Sequence, residues 1–131
     1  MSDCTIEILT RTQEQTQLFR AACVLEKKPS GVFSVRYVQE NDKVTLMLSD
    51  RAMSMRREGG TGLSARFVGG KRTDMKMQFG AGIALVPLYT DEYRMRVYPS
   101  GLEATLRYRL ITDCGEERFE LIITIGNSEE K

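Results

Sequence analysis

Apolar and polar side chains alternate with a period of two along most of this chain. The alternation covers segments 32–38, 44–49, 53–56, 63–67, 74–79, 93–97, 106–110 and 118–125. Because successive side chains of a β-strand point to opposite faces, each segment predicts a strand with one buried and one solvated face. Helical periodicity does not persist beyond two turns. The sequence therefore predicts an all-β protein.

Turn-forming residues separate these segments at intervals of about ten residues, the spacing of an up-and-down meander. They occur at 29–31, 41–42, 59–62, 69–70, 80–82, 99–101 and 113–115. Gly69-Gly70 fits a two-residue type I′ turn, in which both central residues have positive φ. Residues 91–92 also read as a turn.

A meander of eight to ten strands leaves two exposed edges unless the sheet closes on itself. We therefore predict a closed antiparallel up-and-down barrel, formed by residues 1–131 as one domain. The strand near Ile6–Thr10 would pair with the strand near Leu121–Ile125. Segment 13–17 is expected to be a loop or a short lid, and segment 127–131 a frayed tail.

Composition excludes several classes of function. The chain has no histidine, so mechanisms that need an imidazole base or an imidazole metal ligand do not apply. With 19 basic and 18 acidic residues, the overall charge lacks the excess typical of nucleic-acid-binding domains. No basic-then-apolar leader or long apolar run is present, so we expect a cytoplasmic protein without a membrane segment.

The three cysteines, Cys4, Cys23 and Cys114, are odd in number and widely spaced. This spacing fits neither a disulfide framework nor a zinc site. We expect all three to be reduced thiols that pack as small hydrophobic side chains.

The large apolar side chains of the predicted strands are expected to share one interior. They are Phe33, Tyr37, Leu46, Phe67, Phe79, Tyr93, Tyr108 and Phe119. Such an interior is either filled or holds one apolar ligand. The candidate ligand contacts are Tyr37, Phe67, Met77, Tyr93 and Tyr108. The internal methionines suit an adaptable pocket and equally fill irregular gaps in a core.

Basic side chains concentrate in residues 51–109, which carry eleven basic and five acidic residues. If strands 93–98 and 102–112 pair, four guanidinium groups lie on one outer face. The candidate residues of this arginine face are Arg66, Arg94, Arg96, Arg107 and Arg109. Guanidinium groups suit phosphate and carboxylate partners. The alternative is a solvated face that is balanced by Glu117 and Glu120.

Catalytic groups are sparse. The carboxylates of Asp91, Glu92 and Glu103 could come together, but nothing in the sequence indicates their burial, and no Ser or Cys has an identifiable base. The glycine clusters lack the spacing of a phosphate-binding loop. We expect no enzymatic activity, no metal and no cofactor.

Several short segments resemble the YwiB-like family of small bacterial proteins. They are Arg57-Glu58-Gly59, Phe67-Val68-Gly69-Gly70-Lys71, an apolar strand from Gly82 to Thr90, and Tyr108-Arg109-Leu110. The resemblance implies a calycin-type barrel and transfers no activity, because the family has no assigned function. Phe79-Gly80-Ala81-Gly82 keeps only the last glycine of the family's Thr-Pro-aromatic-Gly turn.

Besides a barrel that mainly supports an oligomer through an exposed edge, two functions are compatible with these observations. The favoured one is a non-enzymatic binding protein for a small apolar or amphipathic ligand inside the barrel, acting as a monomer or small homo-oligomer. The alternative is an interaction protein whose arginine face binds RNA, a phosphorylated ligand or an acidic protein.

Overall fold

The computed structural model describes residues 2–60 and 62–127, and this part of the chain consists of ten β-strands with short connections. A long apolar helix of the kind that spans a membrane does not occur among these residues. The strands are β1 (Ser2–Arg11), β2 (Thr16–Lys27), β3 (Phe33–Gln39), β4 (Asp42–Leu48), β5 (Ala52–Glu58), β6 (Gly62–Val68), β7 (Arg72–Phe79), β8 (Gly82–Tyr98), β9 (Gly101–Thr112) and β10 (Gly115–Asn127).

The strands form one closed antiparallel barrel in which each strand pairs with its neighbours in the sequence. β1 closes the barrel by pairing with both β2 and β10, with Ile6 opposite Ile125 and Thr10 opposite Leu121. The predicted all-β meander and its closing pair are therefore confirmed. Asn127 is the last residue of β10, and the rest of the predicted tail, 128–131, lies outside the described residues.

Two strands depart from the predicted pattern. β2 begins at Thr16 and runs for 12 residues, so the loop predicted over 13–17 holds for 13–15 and is wrong for residues 16 and 17. β8 runs through Asp91 and Glu92, so the predicted turn at 91–92 is wrong. A register shift between Thr90 and Glu92 marks a β-bulge. The extra residue lets Thr90 and Tyr93 both be buried, although three positions separate them.

A two-residue hairpin turn joins β3 to β4. Glu40 and Asn41 have φ values of 53° and 71°, as both central residues of a type I′ turn require. A type I′ turn was also predicted for Gly69-Gly70. That prediction is wrong, because only Gly70 of the two has positive φ, at 74°. The Lys71 N–H donates to the Val68 carbonyl across that turn, at 3.0 Å.

The middle of the barrel is filled by side chains. Phe67, Tyr108 and Phe119 form a row of rings whose neighbouring centroids lie 4.8 and 5.0 Å apart. Completely buried aliphatic side chains such as Leu46 and Leu106 pack around them. Burying such a side chain stabilises the fold by about 1.5–3 kcal/mol, so the filled middle fixes the barrel's shape.

The predicted interior set lies inside as expected. Tyr37, Leu46, Phe67, Tyr93 and Tyr108 are buried, and Phe33 and Phe119 are partly buried and pack against the core. The side chain of Phe79 lies outside the described part of the structure.

The three cysteines divide into two groups. Cys4 and Cys23 are buried, as predicted for thiols that pack as small hydrophobic groups. Cys114 is exposed in the β9–β10 turn, so the prediction is wrong for this residue. The turn places it beyond the ends of both strands, where no core can cover it.

Candidate functional site

A pocket of about 540 Å³ opens at one end of the barrel. This end carries the connections β1–β2, β3–β4, β5–β6, β7–β8 and β9–β10, and we call the cavity the mouth pocket. Its apolar lining consists of Ile8, Leu18, Phe19, Val44, Met55 and Leu121. These residues come from five different strands, so the pocket exists only once the barrel has closed.

The pocket opens at a gap in the main-chain ladder between β2 and β3. β2 and β3 pair only between Val24–Lys27 and Phe33–Arg36. Towards the mouth, residues 16–23 of β2 have no ladder partner in β3. The rings of Phe19 and Tyr37 bridge this gap, with centroids 5.6 Å apart. Side-chain packing thus replaces main-chain hydrogen bonds at this seam and leaves room for a cavity.

Polar side chains form the rest of the pocket wall. They are Thr10, Gln17, Tyr37, Gln39 and Arg57. A pocket with an apolar lining and a few polar groups is typical of sites for small molecules, which have volumes of about 300–1,000 Å³.

Arg57 is the charged residue of the mouth-pocket lining. It follows Met53 and Met55 in the inward phase of β5, and 24% of its side chain is exposed. Its Nε donates to Asp42 Oδ2 at 2.7 Å, and its Nη2 donates to Glu40 Oε1 at 3.1 Å. An inward guanidinium needs such partners, because an unpaired buried charge is strongly unfavourable.

Arg57 is a site residue that was not predicted from the sequence, although a signal is present. Met53 and Met55 alternate with Ser54 and Arg56, and one more step of this alternation places Arg57 in the same phase as the two methionines. In the sequence-based expectations, Arg57 belongs only to the family resemblance.

Asp42 joins Arg57 to the β5–β6 connection. Its Oδ1 accepts a hydrogen bond from the Gly60 N–H at 2.9 Å, while its Oδ2 binds Arg57. Gly59 lies against this carboxylate with a φ of 151°, and a Cβ at that position would lie 1.9 Å from Asp42 Oδ1. Only glycine fits there, which explains why the segment Arg57-Glu58-Gly59 has glycine at its third position.

Hydrogen bonds, neighbouring charges and burial determine the charge states of Asp42, Arg57 and Tyr37. The hydrogen bond from Arg57, followed by the Gly60 N–H, lowers the pKa of Asp42, and the same carboxylate raises the pKa of Arg57. Burial raises the pKa of Tyr37 to about 12, although the charge of Arg57 partly opposes this rise. At neutral pH the pocket therefore presents a paired guanidinium and a neutral phenol.

The five predicted ligand contacts do not form one site. Tyr37 lines the mouth pocket, whereas Phe67 and Tyr108 belong to the row of rings that fills the middle. The Tyr93 hydroxyl donates to the Ser49 carbonyl at 2.7 Å, near the opposite end of the barrel. Met77 packs partly buried against the core and does not line this pocket.

The predicted arginine face points outward, but acidic residues neutralise much of it. Glu92 binds both Arg94 and Arg107. Arg109 binds Asp91 at 3.0 Å and Glu116 at 3.0 Å, and its guanidinium lies 4.7 Å from the centroid of the Tyr89 ring. The β-bulge places the two consecutive carboxylates of β8 on the outside, beside these arginines.

The balancing acids are not the predicted ones. Asp91, Glu92 and Glu116 take this role in place of Glu117, while Glu120 binds Arg11 on β1. Within the described ranges, no ion pair involves Arg66 or Arg96, and Arg66 lies on β6 opposite Ser54, away from the β8–β9 pair. Asp91 and Glu92 are thus held by arginines and are not free carboxylates.

A family model described as "Domain of unknown function (DUF1934)" matches residues 4–119. The chain belongs to this family. A search of curated proteins finds no match. The DUF1934 assignment agrees with the predicted resemblance to YwiB-like proteins.

A solved structure shows the same fold as this DUF1934 chain. The crystal structure of ywiB protein from Bacillus subtilis matches with a TM-score of 0.79 and 15% sequence identity. The match covers 96% of this chain and 90% of that chain. At this identity the likeness concerns the fold alone.

Substitution of Gly59 directly tests its close contact with the Asp42 carboxylate, which binds Arg57. We expect Gly59→Ala to lower the free energy of unfolding by about 1–3 kcal/mol or more, because the added methyl group meets the Asp42 carboxylate in a strained backbone conformation. Gly60→Ala is the matched control, because a Cβ there meets nothing within 4 Å. Urea denaturation measures both, and equal losses would contradict this account.

The lowered pKa of Asp42 predicts a pH dependence of stability. Its charged contacts stabilise the fold above the pKa of an unfolded aspartate, about 3.9, and this contribution is lost as the pH falls through the folded pKa. We expect Asp42→Asn to reduce the urea midpoint at neutral pH, and the difference from the wild type to narrow below about pH 4. Asp74→Asn is the control, since Asp74 is exposed and forms no ion pair with the described residues. A difference in urea midpoint between Asp42→Asn and the wild type that stays constant with pH would refute a stabilising role of the charged contact.

Proposed function

We propose that this DUF1934 protein is a non-enzymatic binding protein that takes a small amphipathic molecule in the mouth pocket. The observation that carries the proposal is the combination of an apolar lining with the inward Arg57 and Tyr37 in one cavity of about 540 Å³. The filled middle of the barrel supports the mouth, and not the centre, as the binding position.

The apolar part of the ligand would lie against Phe19, Val44 and Met55. Phe19 and Met55 are only partly buried, so a ligand that covers them removes further apolar surface from water. Met55 is unbranched and adapts its shape to what it contacts. The site therefore favours a flexible aliphatic group over a fixed planar one.

The polar end of the ligand would be uncharged. Arg57 is already bound to two carboxylates, Asp42 and Glu40, so no net positive charge is left to attract an anion. The side chains of Gln17 and Gln39 offer both donors and acceptors. A hydroxyl or amide group satisfies these side chains without the desolvation of a second charge.

The arginine face is the weaker candidate. Arg94, Arg107 and Arg109 are bound to acidic side chains of the same barrel, so an RNA or a phosphorylated ligand would have to compete with them. We also propose a location in the reducing cytoplasm, which the free thiols support.

Binding can be tested with ten-carbon probes under reducing conditions. We expect 1-decanol to raise the Tm and to bind more tightly than decanoate, because the pocket favours an uncharged head group. A protein that binds neither probe would refute the proposal, and tighter binding of decanoate would refute the uncharged head group.

A blocking variant locates the site. Gln17→Trp places an indole over the mouth pocket and should weaken 1-decanol binding by about tenfold or more, which corresponds to about 1.4 kcal/mol. Thr124→Trp adds the same indole to the exposed outer face of β10 and should leave binding unchanged. Isothermal titration calorimetry measures both variants. Undiminished binding by Gln17→Trp would exclude the mouth pocket.

A further inference from the structure

Cys4 and Cys23 form a buried pair of thiols across the β1–β2 ladder. The two residues are directly opposite each other in the antiparallel register. Their Sγ atoms lie 2.7 Å apart, inside the sum of two sulfur van der Waals radii. Both side chains point into the barrel, and only 3% and 4% of their surfaces are exposed.

The backbone at this pair suits a covalent link. Opposed residues of an antiparallel pair have Cα atoms about 4.5–5.5 Å apart. Disulfides span Cα separations of about 4.4–6.8 Å. Joining the two sulfur atoms therefore requires little movement of either strand.

A small oxidant has a route to the two thiols. A pocket of about 600 Å³ on the β2–β3 seam is lined by Cys4 and Cys23 together with Ala21 and Tyr37. This seam begins where the β2–β3 ladder ends, at Val24 opposite Arg36. The thiols are thus covered from bulk solvent but lie beside a cavity that admits a molecule as small as a peroxide.

We propose that Cys4 and Cys23 are a site of reversible oxidation to a cross-strand disulfide, with hydrogen peroxide as the oxidant. One thiol attacks the peroxide, which breaks the O–O bond and yields a sulfenic acid and one water. The second thiol attacks the sulfenic sulfur, forms the S–S bond and releases a second water. Two thiols lose two protons and two electrons, and one peroxide becomes two waters.

The protonation of the pair sets the rate of this reaction. Burial, followed by the hydrogen bond to Cys4, raises the pKa of the Cys23 thiol. Since the thiolate is the nucleophile, the pair reacts slowly at neutral pH and faster in alkaline solution. The site therefore responds to sustained oxidation rather than to brief exposure.

The test uses Cys114→Ser protein, because the exposed Cys114 would otherwise link two chains. After treatment with hydrogen peroxide, we expect the intact mass to fall by two hydrogen atoms and a peptide map to join Cys4 to Cys23. Dithiothreitol should restore the original mass. The Tm of the oxidised protein should rise by about 10 °C, since the link closes a loop of about 18 residues.

Two controls make the result decisive. Cys23→Ser in the same background should show no loss of two hydrogen atoms. Should this variant fail to fold, alkylation of the Cys114→Ser protein in urea, before and after oxidation, counts the remaining free thiols. A folded protein that gains only oxygen atoms, or that forms the link only after unfolding in urea, would overturn the proposal.

Discussion

Closure of the barrel through the β1–β10 pair determines the position of every other side chain. Once Ile6 lies opposite Ile125, the sheet has a single inside and outside, and the phase of each strand decides on which side a residue lies. A slip of one residue would exchange the two faces. The filled row of Phe67, Tyr108 and Phe119 then leaves space for a ligand only at the ends.

Alternation predicted the strands whose outer faces are polar, and it failed where both faces carry apolar residues. In β2, the exposed Leu18 breaks the pattern set by Phe19 and Cys23 on the inner face. In β8, the exposed Ile83 and Leu85 place apolar side chains on the outer face as well, which hides the alternation. Only the family resemblance therefore indicated the strand from Gly82 to Thr90. The bulge at Asp91 was unpredictable from a strict period of two, because it shifts the phase within one strand.

The site was less predictable than the fold. The position of the mouth pocket depends on where the β2–β3 ladder ends. The register between two strands cannot be predicted from the sequence of either strand alone. Arg57 could have been found by extending the phase of Met53 and Met55 by one step. Its pairing with Asp42 and Glu40 could not, because the type I′ turn at Glu40-Asn41 brings these carboxylates to β5.

Acidic side chains pair with arginines both on the outer face of the barrel and at its mouth. On the outside, Glu92 and Asp91 pair with Arg94, Arg107 and Arg109, three of the four arginines of the β8–β9 pair. At the mouth, Asp42 and Glu40 neutralise the arginine that turns inward. What remains distinctive is the apolar cavity beside Phe19 and Tyr37, and this contrast makes the mouth pocket the centre of our account.

The most direct test is a titration of isotope-labelled protein with 1-decanol, followed by the backbone amide signals in two-dimensional NMR spectra. A ligand in the mouth pocket should give the largest shifts at residues 17–19, 37–39 and 55–57, while 94–96 and 105–109 change little. Shifts that concentrate on the latter segments, or that are absent throughout, would contradict a binding site at the mouth of the barrel.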